Sequence, residues 1–133
     1  MINVERLVRD YLAADAAVAA LVGARVHTGK LPAEPTFPLV LLRRFAGAAT
    51  MWGHFDGARV QIEAWSENGD HPACEELSRA VREAMKSQTI EGEYALGVVT
   101  GAQEFLFRFQ EDPVTGRPRY LLDCLVFCHP AAA

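Results

Sequence analysis

A run of alternating polarity between Ala58 and Trp65 constrains the fold of this 133-residue chain more than any other feature. Val60, Ile62 and Ala64 are small or apolar, whereas the side chains between them are mostly polar or charged. Since successive side chains of a strand point to opposite faces of a sheet, one face is predicted to be buried and the other largely wet. The segment therefore predicts a half-exposed antiparallel strand.

Two amphipathic segments predict the helices that cover the buried face. The first begins after Asn3, which is a suitable N-cap, and its apolar positions recur at helical spacing. Asp15 can cap a second, shorter helix that ends at Gly23. The other long helix begins at Asp70 and carries Pro72 in its first turn, a favourable position for proline.

The remaining apolar runs have the length and the punctuation of strands. They span residues 25–29, 37–45, 94–109 and 119–128, with a bend or bulge expected near Gly101, a polar linker at 87–93 and a hairpin loop at 112–116. The order of helix, strands, helix and strands predicts an α+β fold, an antiparallel sheet with two main helices packed on one face. We expect a single domain over residues 1–133, with a flexible tail at 129–133.

Composition excludes several classes of protein. Half of the residues are hydrophobic, which argues against disorder, and no apolar stretch approaches the length of a membrane span. The net charge of -4 disfavours a dedicated duplex-DNA binder, although it allows a local basic patch. No secretory signal is recognisable, and three cysteines are an odd count for a disulfide framework. We therefore expect a soluble protein of a reducing compartment with no membrane contact.

Cys124, Cys128 and His129 are the best candidates for a catalytic or metal site. On a strand the two cysteines share a face with Leu122 and Val126, whereas His129 points the other way, so a core role is favoured. The sequence also lacks a phosphate-binding loop, a nucleophile elbow and a metalloprotease helix. We predict no enzyme activity, no catalytic or metal-binding residue and no cofactor. A small-ligand-binding module built on the cysteine cluster is the competing hypothesis.

Segment 47–57 carries large apolar side chains where two strands are expected to be joined by a flexible loop. These side chains are Met51, Trp52 and Phe55, and aromatic residues and methionine are enriched at interface cores. Folding back over the sheet is an equally good interpretation. We predict that the three residues contact a neighbouring subunit or partner.

Trp65 raises the same question because it lies on the nominally polar face of its strand. That second face of the sheet is also expected to carry an aromatic ladder of Phe105, Phe107 and Phe109. A sheet face with this much apolar surface indicates partial cover by a neighbouring subunit. Trp65 is therefore a further predicted interface residue.

Arg43 and Arg44 end an apolar strand, with Arg25 and Lys30 upstream. The simpler interpretation is that these four are scattered basic surface residues, whose charges balance those of the acidic residues. The alternative is a local basic rim that contacts nucleic acid or an acidic partner.

The order of these patterns resembles the tail completion or tail terminator proteins of long-tailed bacteriophages and phage-like particles. The resemblance is carried by the segments 12–26, 29–32, 37–42, 58–67 and 74–85. It implies a structural virion protein of the tail or neck, assembled in the host cytoplasm, with no catalytic residue.

The resemblance further implies a hexameric ring at the head-proximal end of the tail tube. Such a ring stops polymerisation of the tube and joins it to the head connector. In such a ring Arg43 and Arg44 are expected to face the lumen or, as an equal alternative, an acidic partner. The implied partners are other copies of this chain, the tail tube protein and a head–tail connector or head completion protein, with transient, non-specific contact to passing DNA. Another neck or head-completion protein of the same particle is the alternative within this class.

Overall fold

The computed structural model describes residues 2–51 and 55–131, with the backbone alone described at 46–51 and 55–56. This part of the chain forms a mixed α+β fold, as predicted. Its elements in chain order are α1 (Val4–Ala14), α2 (Ala16–Val22), β1 (Val26–Thr28), β2 (Leu39–Met51), β3 (Phe55–Trp65), α3 (His71–Ala84), α4 (Ser87–Ile90), β4 (Gly92–Tyr94), β5 (Gly97–Phe109) and β6 (Arg119–His129).

The strands of the described residues form a single sheet in the order β1-β2-β3-β6-β5-β4. Every neighbouring pair is antiparallel except β1 and β2, which run parallel. The prediction of an antiparallel sheet is thus correct apart from this edge pair. The exception arises because residues 29–38 carry the chain back to the end of the sheet at which β1 began, so β2 starts in the same direction.

The helices begin where the sequence predicts. The side chains of Asn3, Asp15 and Asp70 each accept a hydrogen bond from a backbone N–H three residues further on, at 3.1, 3.1 and 3.2 Å. Each cap satisfies one of the N–H groups that a helix leaves without an internal partner. Gly23 ends α2 with a positive φ of 58°, which glycine adopts without a steric penalty.

The hydrophobic core lies between the helices and one face of the sheet. Its large members include Leu7, Leu12, Leu42, Ile62 and Leu77, each at most 2% exposed. Burial of a side chain of this size contributes about 1.5–3 kcal/mol. The Tyr11 hydroxyl donates to the carbonyl oxygen of Ala84 at 2.7 Å and so links α1 to α3. No helix of the described residues is long and apolar enough to cross a membrane.

The segment predicted as a loop at 47–57 is strand over its described backbone. β2 continues to Met51 and β3 begins at Phe55, and these two residues lie opposite each other in the ladder. The glycine and alanine residues of this segment suggested flexibility, but pairing of strands uses only backbone N–H and C=O groups. The prediction of a loop is therefore wrong at residues 47–51 and 55–57, whereas residues 52–54 lie outside the described part of the chain.

Two boundaries also differ from the prediction, and one predicted irregularity is confirmed. The expected linker at 87–93 contains α4 and the start of β4, because the Ser87–Ile90 turn closes its own backbone hydrogen bonds. The bulge expected near Gly101 is present, as a register shift between Val99 and Gly101. β6 extends to His129, the first residue of the predicted tail.

Candidate interaction surface

The sheet has a second face, turned away from the helices, which we call the open face. Its two halves differ. The covered half, formed by Leu39, Leu41, Glu63 and Trp65, lies beneath residues 31–37. The bare half contains Phe45, Arg59, Phe105, Leu106 and Asp123 and has no layer over it among the described residues.

Trp65 lies in the covered half and is only 4% exposed. Its ring lies 6.1 Å from that of Phe37, and Leu31 packs against the same cluster. The guanidinium of Arg119 lies 5.1 Å from the centre of the Trp65 ring. The chain itself therefore covers this tryptophan, and a second subunit is not needed to do so.

Glu63, on the same half, is a buried carboxylate that the alternation assigned to the wet face. It is 1% exposed. One oxygen accepts from Arg43 Nη2 at 2.6 Å, and the other accepts from Trp65 Nε1 at 3.0 Å and lies 3.6 Å from Arg119 Nη1. A buried carboxylate is costly unless it is paired and hydrogen-bonded. The cluster around Glu63 meets that requirement and holds Arg43 against its own chain.

Arg43 and Arg44 do not form a common basic rim. Arg43 shares the open face with Glu63, whereas Arg44 follows it in β2 and points to the helix side, since neighbouring side chains alternate. The backbone N–H of Arg44 donates to Oε1 of Glu5 in α1 at 2.8 Å. The structure therefore separates the two arginines.

The bare half is an aromatic surface built around one ion pair. Phe45, Phe105 and Leu106 are 48%, 49% and 40% exposed. The guanidinium of Arg59 lies 5.3 Å from the Phe45 ring centre and 4.6 Å from that of Phe105, within cation–π range. Arg59 Nη2 donates to Oδ2 of Asp123 at 3.4 Å, while Arg59 Nε and Asp123 Oδ1 are buried without a hydrogen-bond partner in the described chain.

A second bulge in β5 places Phe105 on this surface. The register shifts between Glu104 and Leu106, so Phe107 and Phe109 lie opposite Leu122 and Tyr120 on the helix side. The prediction that Phe105 shares one face with Phe107 and Phe109 is wrong, because one extra residue reverses the alternation beyond it. No glycine or proline marks this bulge in the sequence.

The outer strands β1 and β4 are short. Most of the outer edge of β2 and of β5 therefore has no strand partner among the described residues. β1 pairs with β2 only at 40–42, and β4 pairs with β5 only at 97–99. At each free edge a side chain accepts a hydrogen bond from a backbone N–H. Glu5 accepts from the N–H of Arg44, and Ser87 Oγ accepts from the N–H of Ala102 at 3.1 Å. Unpaired edges are sites where another chain can add a strand.

The cysteine cluster is part of the core. Cys124 and Cys128 are 1% and 0% exposed, and all three cysteines are free thiols. Burial raises the pKa of Cys124 to about 12 and that of Cys74 to about 11, so neither thiol is a nucleophile at neutral pH. Within residues 2–51 and 55–131, no three His, Cys, Asp or Glu side chains are grouped to hold a metal ion.

A cleft of about 430 Å³ lies between α3 and β5 and is lined by Met85 and Cys124 among others. At its rim Arg82 and Glu104 form a two-bond ion pair, at 2.7 and 2.9 Å, and the Arg82 guanidinium also lies 4.4 Å from the Phe107 ring centre. Arg82 and Glu104 are therefore already paired with each other.

The predicted interface residues of the β2–β3 hairpin are Met51, Trp52 and Phe55. Their side chains lie outside the described residues.

An exposed aromatic sheet face between two free strand edges is typical of a subunit that assembles with other subunits. The family model of tail completion protein gp17 matches residues 6–114, and the chain belongs to this family. It is a structural virion protein with a tail-completion role and not an enzyme. The resemblance found in the sequence is thereby confirmed.

The fold also matches a solved structure. A chain in the virion of a native gene transfer agent particle aligns with a TM-score of 0.71 and 21% identity, covering 92% of this chain and 91% of the other. At this identity the match shows a shared fold. A comparison with curated proteins found no match.

Proposed function

We propose that the protein is a tail terminator: copies of it close into a hexameric ring on the head-proximal end of a tail tube, stop the polymerisation of the tube and join it to the head connector. Its partners are then itself, the tail tube protein and a connector or head completion protein. The family, and the fold shared with a chain of a gene transfer agent virion, support this position in a particle.

The bare half of the open face is the observation that carries the proposal. A monomer gains nothing from exposing Phe45, Phe105 and Leu106 on one surface, and apolar surface of this kind is a recurrent feature of assembly interfaces. A ring requires heterologous contacts in which one patch meets a different patch on the next copy. The bare half and the two sheet edges provide surfaces for such contacts.

The hairpin residues Met51, Trp52 and Phe55 are proposed as additional contacts of the ring or of its partners. Trp65 contributes indirectly, since its burial beneath Phe37 fixes the covered half. Arg43 and Arg44 are proposed as lumen-facing or partner-facing residues on opposite faces of β2, with Arg43 also paired to Glu63. Any contact with passing DNA is local and non-specific, given the net charge of -4.

Electron microscopy of the purified protein, alone and mixed with the tail tube protein, tests the proposal. We expect closed rings with a central opening, free in solution or at one end of each tube, and tubes that stop growing once the ring is bound. A stable dimer, or tubes that elongate unchanged in the presence of the protein, would contradict it.

A matched pair of variants links assembly to the bare half. Phe45→Ser combined with Phe105→Ser is expected to reduce ring formation in sedimentation velocity. Val114→Ser is the control, because Val114 is an exposed apolar side chain in the 112–116 hairpin loop, away from the patch. Equal loss of assembly in both variants would show that general surface hydrophobicity, and not this patch, drives association.

A further inference from the structure

The turn between β3 and α3 contains an asparagine followed by a glycine, Asn68 and Gly69. We propose that Asn68 is a modification site, at which the side-chain amide is lost as ammonia and an aspartate or isoaspartate residue remains. In isoaspartate the main chain continues through the side-chain carboxyl carbon. Water is the only co-reactant. The inference concerns the single chain and does not depend on the proposed ring.

The reaction begins at the backbone nitrogen of Gly69. Once its N–H has lost the proton to hydroxide, the nitrogen attacks Cγ of Asn68 and a new C–N bond closes a cyclic imide. The bond from Cγ to the amide nitrogen breaks, and that nitrogen takes up a proton and leaves as ammonia. Attack within one chain is favoured because the two reacting groups are already held together.

Water then opens the imide in one of two ways. Its oxygen adds to a carbonyl carbon, and a proton returns to the nitrogen of Gly69. Cleavage of the bond to Cγ gives aspartate at position 68, whereas cleavage of the bond to the backbone carbonyl carbon gives isoaspartate. No group is oxidised or reduced in either step.

The structure leaves both reacting groups open to solvent. The N–H of Asp70 donates to the carbonyl oxygen of Glu67 at 3.0 Å and closes a β-turn with Asn68 and Gly69 at its centre. Both central residues are exposed, and over residues 2–51 and 55–131 neither the Asn68 carboxamide nor the Gly69 N–H makes a hydrogen bond. An N–H that donates to no acceptor in the chain loses its proton to hydroxide more readily than one that does.

Glycine at position 69 keeps the attacking nitrogen accessible. It has no side chain, and nothing lies within 4 Å of the place that a Cβ would take. It also has a positive φ of 84°, which glycine adopts without a steric penalty. The space and the backbone freedom needed to close the imide are therefore present in this turn.

Asn3 is the other asparagine of the sequence and provides an internal contrast. Its Oδ1 accepts a hydrogen bond from the N–H of Arg6 as the cap of α1. The residue that follows is Val4, which is only 1% exposed and whose branched side chain shields its backbone nitrogen. We therefore expect Asn3 to keep its amide under conditions in which Asn68 loses it.

The two products differ in their effect on α3. Aspartate at position 68 adds a negative charge just before the helix, where the helix dipole favours it. Isoaspartate adds one carbon to the main chain of the turn and so shifts Asp70 relative to β3. Asp70 caps α3 through the N–H of Ala73 at 3.2 Å, and its carbonyl oxygen accepts from Ser66 Oγ at 2.7 Å and from the N–H of Cys74 at 3.3 Å. The isoaspartate form is therefore expected to loosen the first turn of α3.

Peptide mapping tests the modification. The purified protein is incubated in mildly alkaline buffer and digested with trypsin, which places Asn68 in peptide 60–79 and Asn3 in peptide 1–6. We expect peptide 60–79 alone to gain the mass difference between NH₂ and OH, at a rate proportional to the hydroxide concentration. Labelling with an isoaspartyl methyltransferase and S-adenosylmethionine measures the isoaspartate fraction. A sample digested without incubation corrects for deamidation during digestion.

Asn68→Gln is the matched variant. Its amide lies one methylene further from the Gly69 nitrogen, so the loss of ammonia is expected to be about a hundredfold slower. Synthetic peptide 60–79 is the positive control. Deamidation of this peptide without deamidation of the folded protein would overturn the inference, since the turn would then protect Asn68. Equal loss of ammonia at Asn3 would also overturn it.

Hydrogen exchange followed by NMR tests the consequence for α3. Ala73 and Cys74 are the probes, because the N–H of each donates to Asp70. In the isoaspartate form, separated by ion exchange, these amides are expected to exchange about tenfold faster than in the unmodified protein. Asn68→Asp, which has the charge without the extra main-chain carbon, should exchange as the unmodified protein does. Equal exchange in all three forms would contradict the predicted loosening.

These results are independent of the proposed function. Loss of the Asn68 amide in a protein that never forms rings supports the modification site and counts against the terminator. Ring formation by a protein whose Asn68 stays intact while the synthetic peptide reacts has the opposite meaning.

Discussion

The two halves of the open face have similar composition, but the chain covers one of them and leaves the other exposed. Each combines aromatic side chains with arginine and a carboxylate. In the covered half, residues 31–37 close over Trp65 and Glu63, and the carboxylate has its full set of partners. In the bare half, Arg59 and Asp123 share one long hydrogen bond and the phenylalanines remain exposed. Aromatic content on a strand face therefore does not by itself identify an interface.

Trp65→Ala is the largest expected effect and tests the covered half. Removal of a buried indole leaves a cavity and deprives Glu63 of a donor, so the free energy of unfolding should fall by about 3–5 kcal/mol. Urea denaturation followed by circular dichroism measures it. Trp65→Phe retains most of the volume and should cost about 1–2 kcal/mol. A negligible loss in Trp65→Ala would return Trp65 to the list of interface candidates.

Arg43→Met has the next largest expected effect. The variant keeps much of the side-chain volume but removes the strongest partner of a buried carboxylate, with Arg119 remaining, so we expect a loss of about 1–3 kcal/mol. Arg108→Met, at an exposed position bonded to Gln110, is the control and should change stability by less than about 0.5 kcal/mol. Unchanged stability in Arg43→Met, combined with weaker DNA binding, would favour the basic-rim interpretation.

Phe105→Ser should show the opposite behaviour to Trp65→Ala. Because half of the Phe105 side chain is already exposed, stability should fall by less than about 1 kcal/mol, while ring assembly weakens. Parallel measurement of unfolding and of sedimentation separates the two effects. A large loss of stability with normal assembly would mean that the bare half supports the monomer.

The response of the core to alkaline pH is a property of the helix side and gives a reference that is independent of both halves of the open face. Burial raises the pKa of Cys74 to about 11 and the pKa values of Cys124 and Tyr11 to about 12. Unfolded thiols ionise near pH 9, so the stabilising contribution is complete below pH 9 and is lost progressively as pH rises towards 12. Urea midpoints should therefore fall above pH 9, and less steeply in Cys124→Ala.

The sequence predicts the helix side of the molecule well because its signals are local. Caps at Asn3, Asp15 and Asp70 depend on a side chain and a backbone group three residues away, and alternation from Ala58 to Ala64 follows from the geometry of one strand. The open face was less predictable. The alternation assigns Glu63 and Trp65 to the wet face. Trp65 nevertheless packs against Phe37, which reaches it only through the crossing of residues 29–38, and Glu63 is bonded to Trp65 and Arg43.

Local patterns in the amino-acid sequence are enough to predict the α+β class, the helix starts, the core role of the cysteines and the family. Which aromatic side chains are exposed depends instead on the tertiary structure. Two of its decisions depend on pairing between distant strands: the bulge at Phe105, which separates it from Phe107, and the free edges of β2 and β5. Register and edges are properties of paired strands, and no single strand encodes its partner's length or position.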